Sequence, residues 1–167
     1  MGEGWQLFKI IGIPLRIQPT WLFAVAIFTT LFQPRYAASV EPAALSWGLA
    51  LLTTLLLFTS VLLHELGHAL MALREGVKVV SITLFHLGGI ARVEKECPTA
   101  MGNLRIAAAG PLVSLTLALG MLLAAASLAT QQPQLTVLLT QVGLLNLMLG
   151  LFNLLPGLPL DGGLILK

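Results

Sequence analysis

The sequence predicts an α-helical polytopic membrane protein of about four transmembrane helices, with a small membrane-associated β-hairpin or sheet on the cytoplasmic side. Three observations carry this. Of 167 residues, 57% are hydrophobic and only 10% charged, where a soluble domain carries about 25% charged residues; the mean hydropathy is +0.93. The charges are also clustered: no ionisable side chain occurs between Arg105 and Asp161. Finally, the stretch from Val77 to Glu96 turns β-branched and polar, unlike the rest.

Four apolar segments follow in order. Thr20 to Phe32 is short for a span, which needs about 20 residues, but extends at both ends. Ala43 to Leu63 carries no ionisable group, Ile106 to Leu128 is the third segment, and Leu135 to Leu155 is the fourth. The last ends at the break Pro156-Gly157-Leu158-Pro159. No continuous apolar leader with a small-residue cleavage site precedes them, because Lys9, Gly12, Pro14 and Arg16 interrupt the N-terminal stretch. The N-terminus is therefore expected to persist in the mature chain.

Lysine and arginine placement orients the segments. Lys9 and Arg16 precede the first, and Arg74, Lys78, Arg92, Lys95 and Arg105 lie between the second and third. The loop after the first segment has only Arg35, and Gln131-Gln132-Pro133 has no basic neighbour. The N-terminus, the 74–105 region and Lys167 are expected in the cytoplasm of a multi-pass cell-membrane protein. A net charge of +2 without a basic run excludes nucleic acid as a partner. Cys97 is the one cysteine, so no intrachain disulfide forms, and it reads as an incidental loop thiol.

Within 77–96, Val77 to Phe85 favours a strand, Gly88-Gly89 offers a turn, and Ile90 to Glu94 alternates apolar and polar residues. Ile11 to Ile17 alternates too and is available as a further strand. Extended backbone at this depth must be paired, buried in protein or held at the interface.

The chemistry lies in His64-Glu65-Leu66-Gly67-His68, which continues the apolar run Leu55 to Leu63. Histidines four apart on a helix share a face, so both imidazoles reach one metal ion. The glutamate between them is the usual general base of a zinc peptidase. Taking Arg74 as the surface, His68 lies roughly 9 Å and His64 roughly 15 Å inward. A catalytic zinc site takes three protein ligands and leaves one position open. The remaining candidates for the third ligand are His86, beside the glycine pair, and Asp161, the single aspartate. An aspartate closing so long an apolar stretch is costly and a functional candidate by default. The broken backbone around it suits a cavity lining. His86 reads as structural.

His-Glu-Leu-Gly-His together with Asn153-x-x-Pro156-x-x-x-x-Asp161-Gly162, the Gly88-Gly89 hairpin and Ala109-Gly110-Pro111 resembles the site-2 protease family of intramembrane zinc metalloproteases. The resemblance covers essentially the whole chain. It implies one Zn²⁺ per chain held by His64, His68 and Asp161, Glu65 as catalytic base, and Asn153 assisting substrate or transition-state binding. It implies cleavage of a transmembrane protein substrate within or near a membrane-spanning segment, in contact with the lipid bilayer. No PDZ domain is inserted between the motifs, so the bacterial type without PDZ is the nearer match. The chain stops six residues after Asp161, where the family continues with further helix. On this view residues 1–167 form a single metalloprotease core with a truncated C-terminus. The alternative is a catalytically silent zinc-binding membrane scaffold, and a metal transporter fits less well because the first and third segments carry few polar groups.

Two residue sets have competing structural roles. Gly143, Asn146, Gly150 and Asn153 form one stripe of the fourth segment, so Asn153 is equally a helix-packing residue, worth about 1 kcal/mol as an interhelical hydrogen bond. Trp21 and Trp47 read as interfacial anchors.

Overall fold

The computed structural model describes residues 4–38, 40–86, 88–155 and 161. The expected break at 156–159, the glycines at 162 and 163 and Lys167 lie outside them.

Eight elements follow along the chain: β1 (Trp5–Ile10), β2 (Ile13–Ile17), α1 (Thr20–Ala37), α2 (Ala43–Arg74), β3 (Val79–Phe85), β4 (Gly88–Val93), α3 (Ala100–Leu128) and α4 (Pro133–Asn153). Local chemistry sets several ends. Thr99 caps α3 by accepting the Gly102 N–H at 3.1 Å. Pro133 opens α4 in the first turn, where its missing N–H costs nothing. Pro34 lies inside α1.

Among the described residues three helices, α2, α3 and α4, are long and apolar enough to cross a membrane. The sequence led us to expect about four. The first segment does form a helix, but α1 has only 18 residues and takes in Gln33, Pro34 and Arg35. The second is longer than expected: α2 runs unbroken for 32 residues, with the histidine pentad inside it.

The sheet has four strands in the order β1-β2-β3-β4. The N-terminal segment contributes a hairpin, closed by Ile11 and Gly12 with φ of 51° and 81°, the positive pair that a tight antiparallel turn requires. β2 then pairs in parallel with β3, Leu15 opposite Ile82 and Ile17 opposite Leu84. Between them the chain makes the excursion through α1 and α2.

The β3–β4 hairpin forms as expected, but its glycines do not make the turn. Phe85 pairs with Gly88 and Leu84 with Gly89, so the glycines already belong to β4. The physical reason lies in packing. A Cβ on Gly89 would stand 2.5 Å from Glu65 Cγ, so glycine is needed for β4 to approach α2.

Two apolar clusters hold these parts together. Ile13, Leu15, Ile82 and Leu84 of the sheet pack on Ala69 and Ala72 of α2, with Cys97 in the same cluster. Cys97 is thus a core residue, not an incidental loop thiol. At the other end of α2, Phe32 and Tyr36 of α1 meet Ala50 of α2 and Leu138 and Val142 of α4. Polar pairs fasten α1 to α2: Thr29 to Thr54 at 3.2 Å, Gln33 to Ser46 at 3.1 Å, and Tyr36 to Thr53 at 2.6 Å. In an apolar setting such pairs are worth up to about 1–2 kcal/mol each. α1 and the sheet therefore share the length of α2, one at each end. Trp21 sits where they meet, its ring 5.3 Å from Phe58, and Trp47 is exposed.

Candidate metal centre

The helical spacing of His64 and His68 places their rings 4.8 Å apart on α2, both buried. Their Nε2 atoms lie 3.1 Å from one another. Asp161 Oδ2 lies 3.1 Å from each of them. Among the described residues, His64, His68 and Asp161 are the group of ligand-bearing side chains that converge in this way. His86 is not part of it. Its ring stacks edge-on against Phe85 at 5.8 Å and lines an apolar groove with Phe23 and Phe28 of α1.

The other ring nitrogens are fixed from outside. His68 Nδ1 donates to the Ile106 carbonyl at 2.7 Å. A carbonyl only accepts, so the proton sits on Nδ1 and the Nε2 lone pair is free. His64 Nδ1 meets Ser114 Oγ at 2.9 Å, and Ser114 is fully buried. This is how metal-binding histidines are commonly held, with the distal N–H donated so that Nε2 faces the ion.

The Nε2 lone pair of His68, the Nε2 of His64 and the Oδ2 of Asp161 converge within 3.1 Å of one another. One divalent cation satisfies all three together. The spacing also fits. Donors around a tetrahedral ion with bonds of about 2.0–2.1 Å stand about 3.3 Å apart, close to the observed 3.1 Å.

Room for this cluster comes from α3. A Cβ on Gly110 would overlap the His68 Nε2 and stand 2.7 Å from the His64 Nε2. Glycine at 110 and the following Pro111 thus sit where α3 passes the two rings. Neither Gly110 nor Ser114 is assigned to the site by the local sequence, although Ala109-Gly110-Pro111 is part of the family resemblance.

Glu65 projects to the other side of the cluster, toward β4. Its Oε2 accepts the Ala91 N–H at 2.8 Å. Glu65, His68, Asp161, Gly89, Ala91 and Ile106 line a common cavity of about 280 Å³ between β4 and α3. A carboxylate that shares a cavity with groups able to hold a metal ion can, chemically, take a proton from water.

Asn153 lies on the last turn of α4 and donates to the Leu149 carbonyl at 3.0 Å. The stripe it belongs to is a packing face. Gly143 and Gly150 lie against Leu122 and Leu115 of α3, and Asn146 donates to Ser60 of α2 at 2.9 Å.

Known proteins are similar to this chain in sequence and fold. Residues 52–134 match the family model described as Peptidase family M50. A relative from Synechocystis that carries a zinc-metalloprotease name is 41% identical over the whole chain. A zinc metalloprotease of Methanocaldococcus jannaschii is 39% identical over 97% of it. The chain spans 44% of the length of each of these relatives. A solved structure, the site-2 protease from M. jannaschii, aligns with 97% of this chain and 69% of its own at 36% identity, with a TM-score of 0.69. With the paired histidines, the lone aspartate and Glu65 gathered on this fold, the chain belongs to peptidase family M50, the site-2 proteases.

Proposed function

We propose that the chain is the core of an intramembrane zinc metalloprotease, hydrolysing a peptide bond within or near a transmembrane segment of a membrane protein. The observation that carries this is the convergence of the His64, His68 and Asp161 lone pairs beside Glu65 in one cavity. The zinc-metalloprotease names of the relatives support zinc as the ion, and the single ligand group among the described residues fits one ion per chain.

His64, His68 and Asp161 hold the ion. When bound, Zn²⁺ supplies Lewis acidity and lowers the pKa of water to about 7. Glu65 takes the proton from the attacking water and delivers it to the departing amide nitrogen. Ser114 and the Ile106 carbonyl keep the two imidazoles turned toward the ion. Asn153 is placed to assist substrate binding only if its amide leaves the Leu149 carbonyl. The substrate's scissile stretch is extended and lies along β4, since a helical peptide bond is shielded by its own ladder; adding a strand to a sheet edge is a general mode of holding extended peptide.

The helix contacts support a shallow position for the site. α4 has 21 residues, about 31 Å of helix, which matches a hydrocarbon core of about 30 Å. The Asn146–Ser60 bond sets α4 alongside α2. Counting one helical rise per residue from that bond brings Asn153 about level with the pentad. The cluster then lies near one face of the bilayer, where water enters easily. The basic residues between α2 and α3 support a cytoplasmic position for that face and for the N-terminus.

The test is zinc quantification together with cleavage of a single-span reporter in liposomes. Glu65→Gln is expected to keep zinc and lose cleavage by about 10²–10⁴-fold; Asp161→Ala is expected to lose both. Full proteolysis by Glu65→Gln would refute the assignment of the base.

A further inference from the structure

The edge of β4 that faces the candidate metal centre is already engaged. Phe85 and Gly88 close the hairpin, so Gly89 and Ala91, opposite Leu84 and Ile82, take the alternate positions whose N–H and C=O groups point away from β3. Among the described residues β4 is the last strand of the sheet. The Ala91 N–H goes across the cavity instead, to Glu65 Oε2 at 2.8 Å. The glycine at 89 admits the Glu65 stem beside the strand. The carboxylate therefore stands where the backbone carbonyl of an added strand would stand.

One N–H cannot serve both partners in full. A carboxylate acceptor makes a bond about twice as strong as a neutral one, so a lone amide entering the cavity does not displace it. An extended peptide competes better, because it offers its own carbonyl and further bonds along Gly89 and Ala91. Resting on the peptidase reading above, we propose that the Ala91 N–H is a shared donor, held by Glu65 in the free protein and passed to a backbone carbonyl of an extended peptide added to β4, so that docking of the substrate strand releases the base. Ala91 is then a positioning residue acting through its main chain. A peptide that reaches the cavity without pairing to β4 leaves Glu65 tethered and is cut slowly. The device ties hydrolysis to unwound membrane polypeptide and not to whatever diffuses in.

Two variants separate tether from scaffold. Ala91→Pro deletes the donor at a position where the β3–β4 ladder uses no N–H. Gly89→Ala keeps the donor but crowds the Glu65 stem. Each is purified in full, checked for zinc content, and offered two probes. One is the single-span reporter; the other is a short soluble peptide of the same scissile sequence, N-methylated at the flanking residues so that it loses its own donors and the methyl groups hold its carbonyls off the strand edge. In Ala91→Pro, kcat on the methylated peptide rises about tenfold while kcat/KM on the reporter falls about tenfold. Gly89→Ala also raises cleavage of the methylated peptide. A parallel fall on both probes with zinc retained overturns the tether, since the N–H then only orients the base. Unchanged rates on both probes overturn it too. Should Ala91→Pro lose zinc, Gly89→Ala decides by the same criterion. A parent protein that holds zinc but cleaves neither probe overturns the peptidase reading, and the tether with it.

Discussion

His64 Nδ1 and Ser114 Oγ lie 2.9 Å apart, on helices separated by 50 positions of sequence. The serine is fully buried and fixes which nitrogen of the ring faces Asp161. Partners of this kind usually change metal affinity 10–100-fold on removal. Ser114→Ala is therefore expected to weaken zinc binding by about 10–100-fold while leaving helix content unchanged. Chelator competition followed by metal analysis measures it, and an unaltered affinity would show that the hydroxyl is incidental.

Gly110 should tolerate no side chain. Alanine is a better helix former by about 0.8–1.0 kcal/mol, so propensity alone predicts a more stable α3. The overlap of its Cβ with the His68 ring works against this, since overpacking typically costs about 1–3 kcal/mol. Gly110→Ala is expected to lower zinc stoichiometry and to abolish cleavage with the helices intact by circular dichroism. Normal zinc loading in this variant would mean that α3 shifts away without cost.

Removing the ion should be reversible. The three ligands come from α2 and from Asp161, while the two apolar clusters that hold the helices and sheet do not involve them. Dialysis against a chelator is expected to stop cleavage without unfolding, and added zinc to restore it. Loss of helix content on chelation would mark the ion as structural.

Asn146 and Asn153 should behave differently although they share a stripe of α4. Asn146 donates across to Ser60 and is fully buried. Asn146→Ala is expected to lower thermal stability, by about 1 kcal/mol, with little effect on the metal. Asn153 donates to the Leu149 carbonyl of its own helix, so Asn153→Ala is expected to spare stability. If Asn153 turns to the substrate, that variant lowers kcat; an unchanged kcat leaves it as a packing residue.

What could be read without coordinates was local or unique. The pentad was legible because two histidines four apart share a helix face whatever the rest of the chain does. Asp161 stood out because no other aspartate exists and an apolar stretch precedes it. The β-branched run at 77–85 and the alternation after it gave the hairpin. Gly88-Gly89 was misplaced as the turn because glycine serves both tight turns and close backbone approach, and composition does not separate the two. α1 was foreseen as a span from its apolar start, but Gln33, Pro34 and Arg35 fall inside the helix and leave three helices that qualify among the described residues.

The sequence by itself determined that an apolar helix carries an imidazole pair with a glutamate between them, since period and hydropathy are properties of short stretches. Only the tertiary structure decided that Asp161 meets both rings, that Ser114 and Ile106 fix their nitrogens, that Gly110 makes space, and that Ala91 holds Glu65. Each of those contacts joins segments far apart in the chain. They depend on how α3 and β4 dock against α2, and that docking is set by side-chain packing summed over whole faces, which no short motif records.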